Sequence, residues 1–167
     1  MFLQFVSTPN QEKPKKFPLT LTLPPDYRGE GTRPSLMPQF TYDPPISPAA
    51  GLIQTLRMHE GEIPVGTATW QSATASDDGV IQILDFNIAA PLCRQGNGGR
   101  LMAALVTQTL AYHRSRRIPA RRLWILLRQK RHVIARAFFA SQGFTHIATV
   151  KDLLRDEDGL IYIRTFD

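Results

Sequence analysis

The sequence contains almost no cysteine and no long hydrophobic run, and each deficit restricts what the chain can be. Its single cysteine, Cys93, excludes an internal disulfide and gives no zinc cluster. No apolar run approaches the length of a membrane span, and residues 2–6 are too short, and lack the basic start, for a signal peptide. We therefore expect a cytoplasmic protein of 167 residues with no metal site and no membrane association.

Acidic residues are missing from the middle of the chain. Residues 86–151 contain twelve Lys and Arg but no Asp or Glu, so the net charge of +6 is concentrated there. Arg114, Arg116 and Arg117 end a helix-like run, where cations are favoured. The phosphates of a ligand would explain another part of the charge. A nucleic-acid surface is a third explanation, which the lack of interleaved aromatic residues and of a reading motif disfavours.

Proline is scarce after residue 50 and frequent before it, with ten of the thirteen prolines in residues 1–50. This disfavours helix in that segment. Residues 17–23 alternate like a strand, and residues 24–50 have the composition of an extended loop. We assign residues 1–50, with one or two strands, to the same domain as a core at residues 51–167. A hairpin turn at residues 59–62 joins the first two strands of that core.

Glycine is concentrated in one loop. Gly96, Gly98 and Gly99 stand between a strand-like run at residues 80–88 and a helix-like run from residue 101. Glycine lets the backbone turn sharply and approach a ligand closely. A helix that starts there points its N–H groups and positive dipole end into the loop, which favours a phosphate. The spacing is neither GxGxxG nor a P-loop. The loop therefore predicts a diphosphate site, and a tight connection without a ligand is the alternative.

The chain after this loop predicts a second strand and a second helix. Residues 123–127 are typical of a fully buried strand. The apolar residues of the next run fall on one helical face: Val133, Ile134, Ala137 and Phe138. Gly143 is a suitable helix stop, and Phe144 can fold back onto the helix.

These segments resemble the GNAT superfamily of acetyl-CoA-dependent acyltransferases over about residues 51–167. The family loop has the form Arg/Gln-x-x-Gly-x-Gly/Ala, which residues 93–98 fit at every position except Cys93. The second family motif is Asn-x-x-Ala-x-x-Phe-Tyr, followed after three residues by Gly-Phe. Here it has His132 for Asn and Phe139 for Tyr. The resemblance implies a single α/β domain with a mixed, mostly antiparallel sheet flanked by helices.

The resemblance also implies the ligands and the residues that bind them. It implies transfer of an acetyl group from acetyl-CoA to a primary amine, by a monomer or a homodimer. The pantetheine arm would pair like an added strand with the backbone of Phe86, Ile88 and Ala90. The diphosphate would bind to a loop of seven residues: Arg94, Gln95, Gly96, Asn97, Gly98, Gly99 and Arg100.

The catalytic positions depart from the family pattern. Many members have a Glu that acts as base early in the central strand, where this chain has Gln82. Other members carry an acidic residue just before the Leu/Phe-x-Val of that strand, and Asp85 matches it. The resemblance therefore implies Asp85 as the base, with a structural role as its alternative. Phe139 lacks the hydroxyl of the usual proton donor; His132 could replace it, or could be a solvated residue at a helix start. Two other functions stay open: a non-catalytic CoA-binding or protein-interaction domain, and a nucleic-acid-associated basic protein.

Overall fold

The computed structural model describes residues 37–46, 51–73 and 78–166. Its strands are β1 (Gln39–Tyr42), β2 (Gly51–Glu60), β3 (Ile63–Ala73), β4 (Val80–Ile88), β5 (Arg122–Arg128), β6 (Thr145–Leu154) and β7 (Glu157–Thr165). Its helices are α1 (Asn97–Ser115) and α2 (Val133–Ser141), with a 3-10 turn at Ala90–Leu92. Neither helix has the combination of length and apolar sequence that crossing a membrane requires. The strand expected at residues 17–23 lies outside the described residues.

The seven strands form one sheet in the order β1-β2-β3-β4-β5-β7-β6. All neighbours are antiparallel except β4 and β5, which run parallel. A parallel pair needs a crossover connection, and α1 supplies it. This is the mixed, mostly antiparallel α/β sheet that the sequence predicts.

The first strands confirm the predicted hairpin and correct the predicted loop. β2 ends at Glu60, β3 begins at Ile63, and Gly61 between them has a φ of 62°. The composition predicts loop for residues 24–50, but Gln39–Tyr42 pairs with β2 as a four-residue edge strand. Pairing with a longer neighbour gives these extended residues the strand hydrogen bonds that their own sequence does not indicate.

The main core lies between α1 and the sheet. Leu101, Met102 and Leu105 of α1 are buried in the same hydrophobic cluster as Trp70 of β3. Burial of each such side chain stabilises the fold by about 1.5–3 kcal/mol. The indole N–H of Trp70 also donates to Oε1 of Gln108 in α1 at 3.2 Å. These contacts fix α1 across β3.

Both helices lie on one face of the sheet, which we call the helix face. Trp70 contacts α1, and Ala68 points to the same side because side chains alternate along a strand. Ala68 pairs with Phe86 of β4. The centroid of the Phe86 ring is 5.7 Å from that of Phe139 in α2. The helix face therefore carries α1 and α2, and the opposite face carries the alternate side chains of β2, β3 and β4.

One expectation about burial is wrong. In β5 only every second residue is buried, because successive side chains point to opposite faces. On the apolar face of α2, Val133 and Ile134 are 53% and 78% exposed, and Phe138 packs against the core. Phe139, outside that face, is only 2% exposed. The predicted end of α2 is confirmed: Gly143 has a φ of 81°, and the Phe144 ring packs back on Phe139 with 5.2 Å between centroids.

Candidate functional site

The strands β4 and β5 pair over only part of β4. Their ladder ends at the pair of Ile83 and Ile125. Beyond it, residues 84–88 have β3 as their one neighbouring strand in the described part of the chain, while β5 continues beside β7 to Arg128. We call the space between residues 84–88 and β5 the β4–β5 gap. An extended ligand with amide groups can enter such a gap as an added strand.

The backbone of β4 presents hydrogen-bonding groups to this gap. The Ala89 N–H donates to the Val65 carbonyl of β3 at 2.9 Å. Successive residues of a strand point their N–H and C=O groups to opposite edges, so Phe86 and Ile88 point theirs away from β3 and into the gap. These are the two strand residues expected to pair with a pantetheine arm. Ala90 lies just beyond, exposed in the 3-10 turn.

A bulge in β4 lies where the gap begins. Thr69 pairs with Asp85, and the next residue, Trp70, pairs with Ile83, so Leu84 is an extra residue on β4. Trp70 points to the helix face, which places Thr69 and its partner Asp85 on the opposite face. Asp85 is exposed and forms no ion pair with another described residue. The expected base is therefore accessible from the opposite face, beside the start of the gap.

The helix α1 starts inside the glycine loop with its first N–H groups unpaired. The first helical hydrogen bond runs from the Arg100 N–H to the Gly96 carbonyl at 3.1 Å. In residues 94–99, no backbone N–H donates to another described residue, and no side chain caps the helix. Gly96 has a φ of 80°, in the left-handed region that favours glycine. Unpaired N–H groups and a helix dipole suit an anion such as a diphosphate.

Two side chains hold this loop in shape. Asn97 is buried and donates from Nδ2 to the Leu92 carbonyl at 3.1 Å. Gln95 donates from Nε2 to the Pro91 carbonyl at 3.0 Å. Both carbonyls belong to the 3-10 turn that follows β4. Gln95 and Asn97 therefore position the loop through their side-chain amide N–H groups, and their backbone N–H groups remain for a ligand.

The two arginines of the loop have different surroundings. Arg100 Nη1 lies 3.4 Å from Glu60 Oε1, so part of its charge is already compensated. Arg94 is exposed, has a φ of 62°, and forms no ion pair within the described residues. Arg94 is therefore the better placed of the two to add charge to a phosphate site. No sequence motif indicates that Glu60, at the end of β2, lies beside this loop.

Phenylalanine rings join β4, α1 and α2 beside the loop. The Phe86 ring stacks on the Phe138 ring with 5.4 Å between centroids. A Cβ built on Gly98 would lie 3.0 Å from the Phe138 ring, whereas one built on Gly99 has no atom within 4 Å. The missing side chain at Gly98 therefore makes room for the Phe138 ring of α2, whereas Gly99 faces open space. Phe139 sits in the core beside them, so the residue in place of the family's Tyr is buried.

The second expected catalytic residue, His132, is held by the backbone. Its Nδ1 accepts a hydrogen bond from the Arg128 N–H at 3.1 Å. Nδ1 therefore carries no proton, and the neutral ring carries its proton on Nε2. His132 is half-buried at the start of α2, so its ring keeps partial access to solvent. In this arrangement the ring can donate a proton only from Nε2.

A buried carboxylate that sequence analysis missed fixes the loop before α2. Glu157 of β7 accepts hydrogen bonds from the Lys130 N–H at 2.8 Å and from Arg128 Nη1 at 3.2 Å. Burial raises the pKa of Glu157, but these bonds and the nearby positive charge outweigh it, so the pKa lies below its ordinary value. Glu157 thereby orients the loop that carries His132. The sequence shows only an acid downstream of a basic run, and no motif links residues at that separation.

No protein-family model and no curated protein sequence match this chain. Solved structures do match it. A protein from Desulfovibrio desulfuricans that is described as a GNAT-family acetyltransferase has a TM-score of 0.60 at 21% identity, over 68% of each chain. The ribosomal-protein-S18-alanine N-acetyltransferase of Escherichia coli has a TM-score of 0.54 at 17% identity, over 66% of this chain and 67% of its own.

One matching structure contains acetyl coenzyme A. It is a protein from Bacillus anthracis str. Ames, described as a streptothricin acetyltransferase, with a TM-score of 0.54 at 16% identity, over 71% of this chain and 64% of its own. At such identities the likeness concerns the fold. The chain has the GNAT fold, the one that its two motifs predict.

Proposed function

We propose that the protein is an N-acetyltransferase that moves an acetyl group directly from acetyl-CoA to a primary amine. The observation that carries this proposal is the β4–β5 gap, which leads along β4 to the unpaired N–H groups of the glycine loop. Acetyl-CoA has an amide-bearing arm and a diphosphate. The gap suits the first as an added strand, and the loop suits the second.

Binding of this co-substrate would depend mainly on the backbone. Phe86 and Ile88 would pair with the pantetheine arm, and the N–H groups of residues 94–100 would hold the diphosphate. Arg94 would add charge, while Arg100 is shared with Glu60. Because main-chain groups do this work, the site tolerates Cys93 where the family has Arg or Gln.

The chemistry requires a proton to leave the amine as its nitrogen attacks the thioester carbonyl. Asp85 would take that proton, directly or through a water. Gln82 cannot, and its amide oxygen is already bonded to Gln71 Nε2 at 2.8 Å. A C–N bond forms and the C–S bond breaks. The thiolate then takes a proton from solvent, since Phe139 has none to give.

A non-catalytic role in binding acyl-CoA is the second candidate. It is favoured by Phe139, which packs between the rings of Phe86 and Phe144 where the family has a hydroxyl. A domain that lost its proton donor could keep both the loop and the gap.

A screen of amines with acetyl-CoA, read as free thiol, separates these functions, with acetyl-CoA binding followed in parallel by calorimetry. Binding together with amine-dependent thiol release supports the enzyme. Binding without such release supports the non-catalytic domain. Absence of acetyl-CoA binding contradicts both, and nucleic-acid binding that falls steeply with salt would then support the third function.

A further inference from the structure

The opposite face of β2, β3 and β4 is polar around Asp85. Two neighbouring cross-strand rows form what we call the polar face: Thr55, Thr69 and Asp85 in one row, and Arg57, Thr67 and Asn87 in the other. The hydroxyls of Thr55 and Thr69 lie 2.9 Å apart, so these side chains lie close together across the strands. The surface next to the expected base is therefore built to form hydrogen bonds.

Asp85 is the charge of the polar face that lacks a partner among the described residues. Arg57 donates from Nε and Nη2 to the two carboxylate oxygens of Asp43, at 2.8 and 2.7 Å. That bidentate pair is neutral overall. The polar face thus combines one negative charge with neutral hydrogen-bonding groups.

A cavity opens beside Thr67 and Asn87 of the polar face. It measures about 190 Å³ and has a mixed lining: Met58, Pro64, Val65 and Ala89 are apolar, while Arg57, His59, Thr67 and Asn87 supply polar groups. Asp85 lies outside the lining. Asn87 follows Asp85 by two residues on the same face, which places their Cα atoms about 7 Å apart. Pockets that enclose whole ligands measure roughly 300–1,000 Å³. The cavity therefore has room for one part of a small molecule, and Asp85 lies within reach of the remainder.

We propose that the acceptor is a small polar amine, with its ammonium group at Asp85 and an uncharged hydroxyl- or carbonyl-bearing part in the cavity. The ammonium loses one proton to solvent before its nitrogen attacks, and Asp85 takes the second as the amide forms. This assignment rests on the acetyl transfer proposed above. An acceptor with a carboxylate would be repelled by Asp85 and would gain little from Arg57, which Asp43 already neutralises. An apolar acceptor would cover Thr67 and Asn87 without replacing their hydrogen bonds to water, which is costly.

Three amines with the same ring test this selectivity: 4-aminocyclohexanol, cyclohexylamine and 4-aminocyclohexanecarboxylate. They share the primary amine, so differences report the second substituent. Ligand-detected NMR measures their binding to the protein in the presence of CoA, or to the protein alone if CoA does not bind. We expect 4-aminocyclohexanol to bind about threefold to tenfold more tightly than the other two, the net effect of one hydrogen bond. Equal or tighter binding of either other amine overturns the proposal.

A pair of matched variants locates the effect. Thr67→Val removes a hydroxyl from the cavity lining, and Thr41→Val makes the same change in the same cross-strand row, outside that lining. We expect Thr67→Val to abolish the preference for 4-aminocyclohexanol and to leave cyclohexylamine binding unchanged. Thr41→Val should change neither. The proposal is overturned if Thr67→Val keeps the preference for 4-aminocyclohexanol, or if it weakens the binding of all three amines equally.

Thiol release from acetyl-CoA is measured separately with the same amines. Selective binding without thiol release contradicts acetyl transfer but leaves the amine site standing. Thiol release without selectivity supports acetyl transfer and removes the polar amine as its acceptor.

Discussion

The ring of Phe138 lies so close to Gly98 that a Cβ on Gly98 would be 3.0 Å from Cε2 of the ring. This contact joins the first turn of α1 to α2. The adjacent Gly99 meets nothing within 4 Å at the same place. Two neighbouring glycines of one loop therefore have different surroundings, since one admits a ring of the protein and the other faces open space.

Gly99→Val is expected to weaken acetyl-CoA binding at least tenfold, about 1.4 kcal/mol, without lowering thermal stability. A Cβ at this position has no protein atom within 4 Å, so the new side chain extends into space beside the N–H groups that would hold the diphosphate. Calorimetry and thermal unfolding measure the two effects. Ala103→Val, at an exposed position further along α1, is the control and should keep full affinity. Unchanged affinity in folded Gly99→Val would exclude the loop as the diphosphate site.

Gly98→Val should behave differently, because its side chain would collide with Phe138. We expect a loss of thermal stability in this variant. A drop in acetyl-CoA affinity there would not separate ligand contact from packing, which is why Gly99 is the better probe of the loop.

Asp85→Asn is expected to lower turnover by roughly 10²-fold or more while acetyl-CoA affinity hardly changes. The substitution removes the proton acceptor but lies apart from the loop assigned to the phosphates. Because Asp85 is exposed, stability should also be preserved. Asp78→Asn, an exposed carboxylate just before β4, is the matched control. Normal turnover in Asp85→Asn would remove this residue from the mechanism, and failure to fold would assign it a structural role.

Stability should fall when the pH drops below about 6.5, because of His113. This side chain of α1 is buried, with Nε2 3.1 Å from Ser72 Oγ and no partner for Nδ1 among the described residues. Burial lowers the pKa of His113 below its usual value of 6.5. The unfolded chain therefore takes up a proton before the folded one does. The stabilisation that neutral His113 gives the folded protein is fully present above pH 6.5. As the pH falls toward the lower pKa of folded His113, the free energy of unfolding decreases by up to about 1.4 kcal/mol per pH unit.

Chemical unfolding at pH 7.5 and pH 5.5 checks this expectation, with His113→Gln as the comparison. The other three histidines are common to both proteins, so they cancel. The wild type should lose more stability on acidification than the variant. Equal losses would mean that His113 is protonated as easily in the folded protein as in the unfolded chain.

Local patterns predicted most elements of this fold, and contacts between distant residues explain the errors. The strand at residues 80–88 and the helix stop at Gly143 follow from hydrophobic pattern and glycine chemistry, and both are confirmed. The buried face of α2 was not predictable, because a nine-residue helix rich in apolar residues has several similar faces. Contacts with Phe86 and Phe144 select Phe139 among them.

The site shows the same limit. The motif predicts a phosphate site in the loop at residues 94–100, since such a site depends on consecutive backbone groups. It does not reveal that Arg100 is paired with Glu60, which is 40 residues away, or that Glu157 holds a loop 27 residues before it. Such pairs depend on how strands are arranged in the sheet. The neutralisation of Arg57 by Asp43, which leaves Asp85 as the charge of the polar face, has the same origin.

Phe139→Tyr tests whether a proton donor can be restored. Phe139 is 2% exposed, and its ring meets Phe86 and Phe144 edge to face. A hydroxyl added there is expected to be buried without a partner, which costs about 1–3 kcal/mol of stability. We therefore expect Phe139→Tyr to unfold at a lower temperature and to show no gain in turnover. Phe138→Tyr, at the half-buried neighbouring ring, is the control and should be less destabilised. Faster turnover of Phe139→Tyr at equal stability would instead show that this ring edge reaches the departing thiolate. In that case the wild-type protein would lack a proton donor that one added hydroxyl group restores.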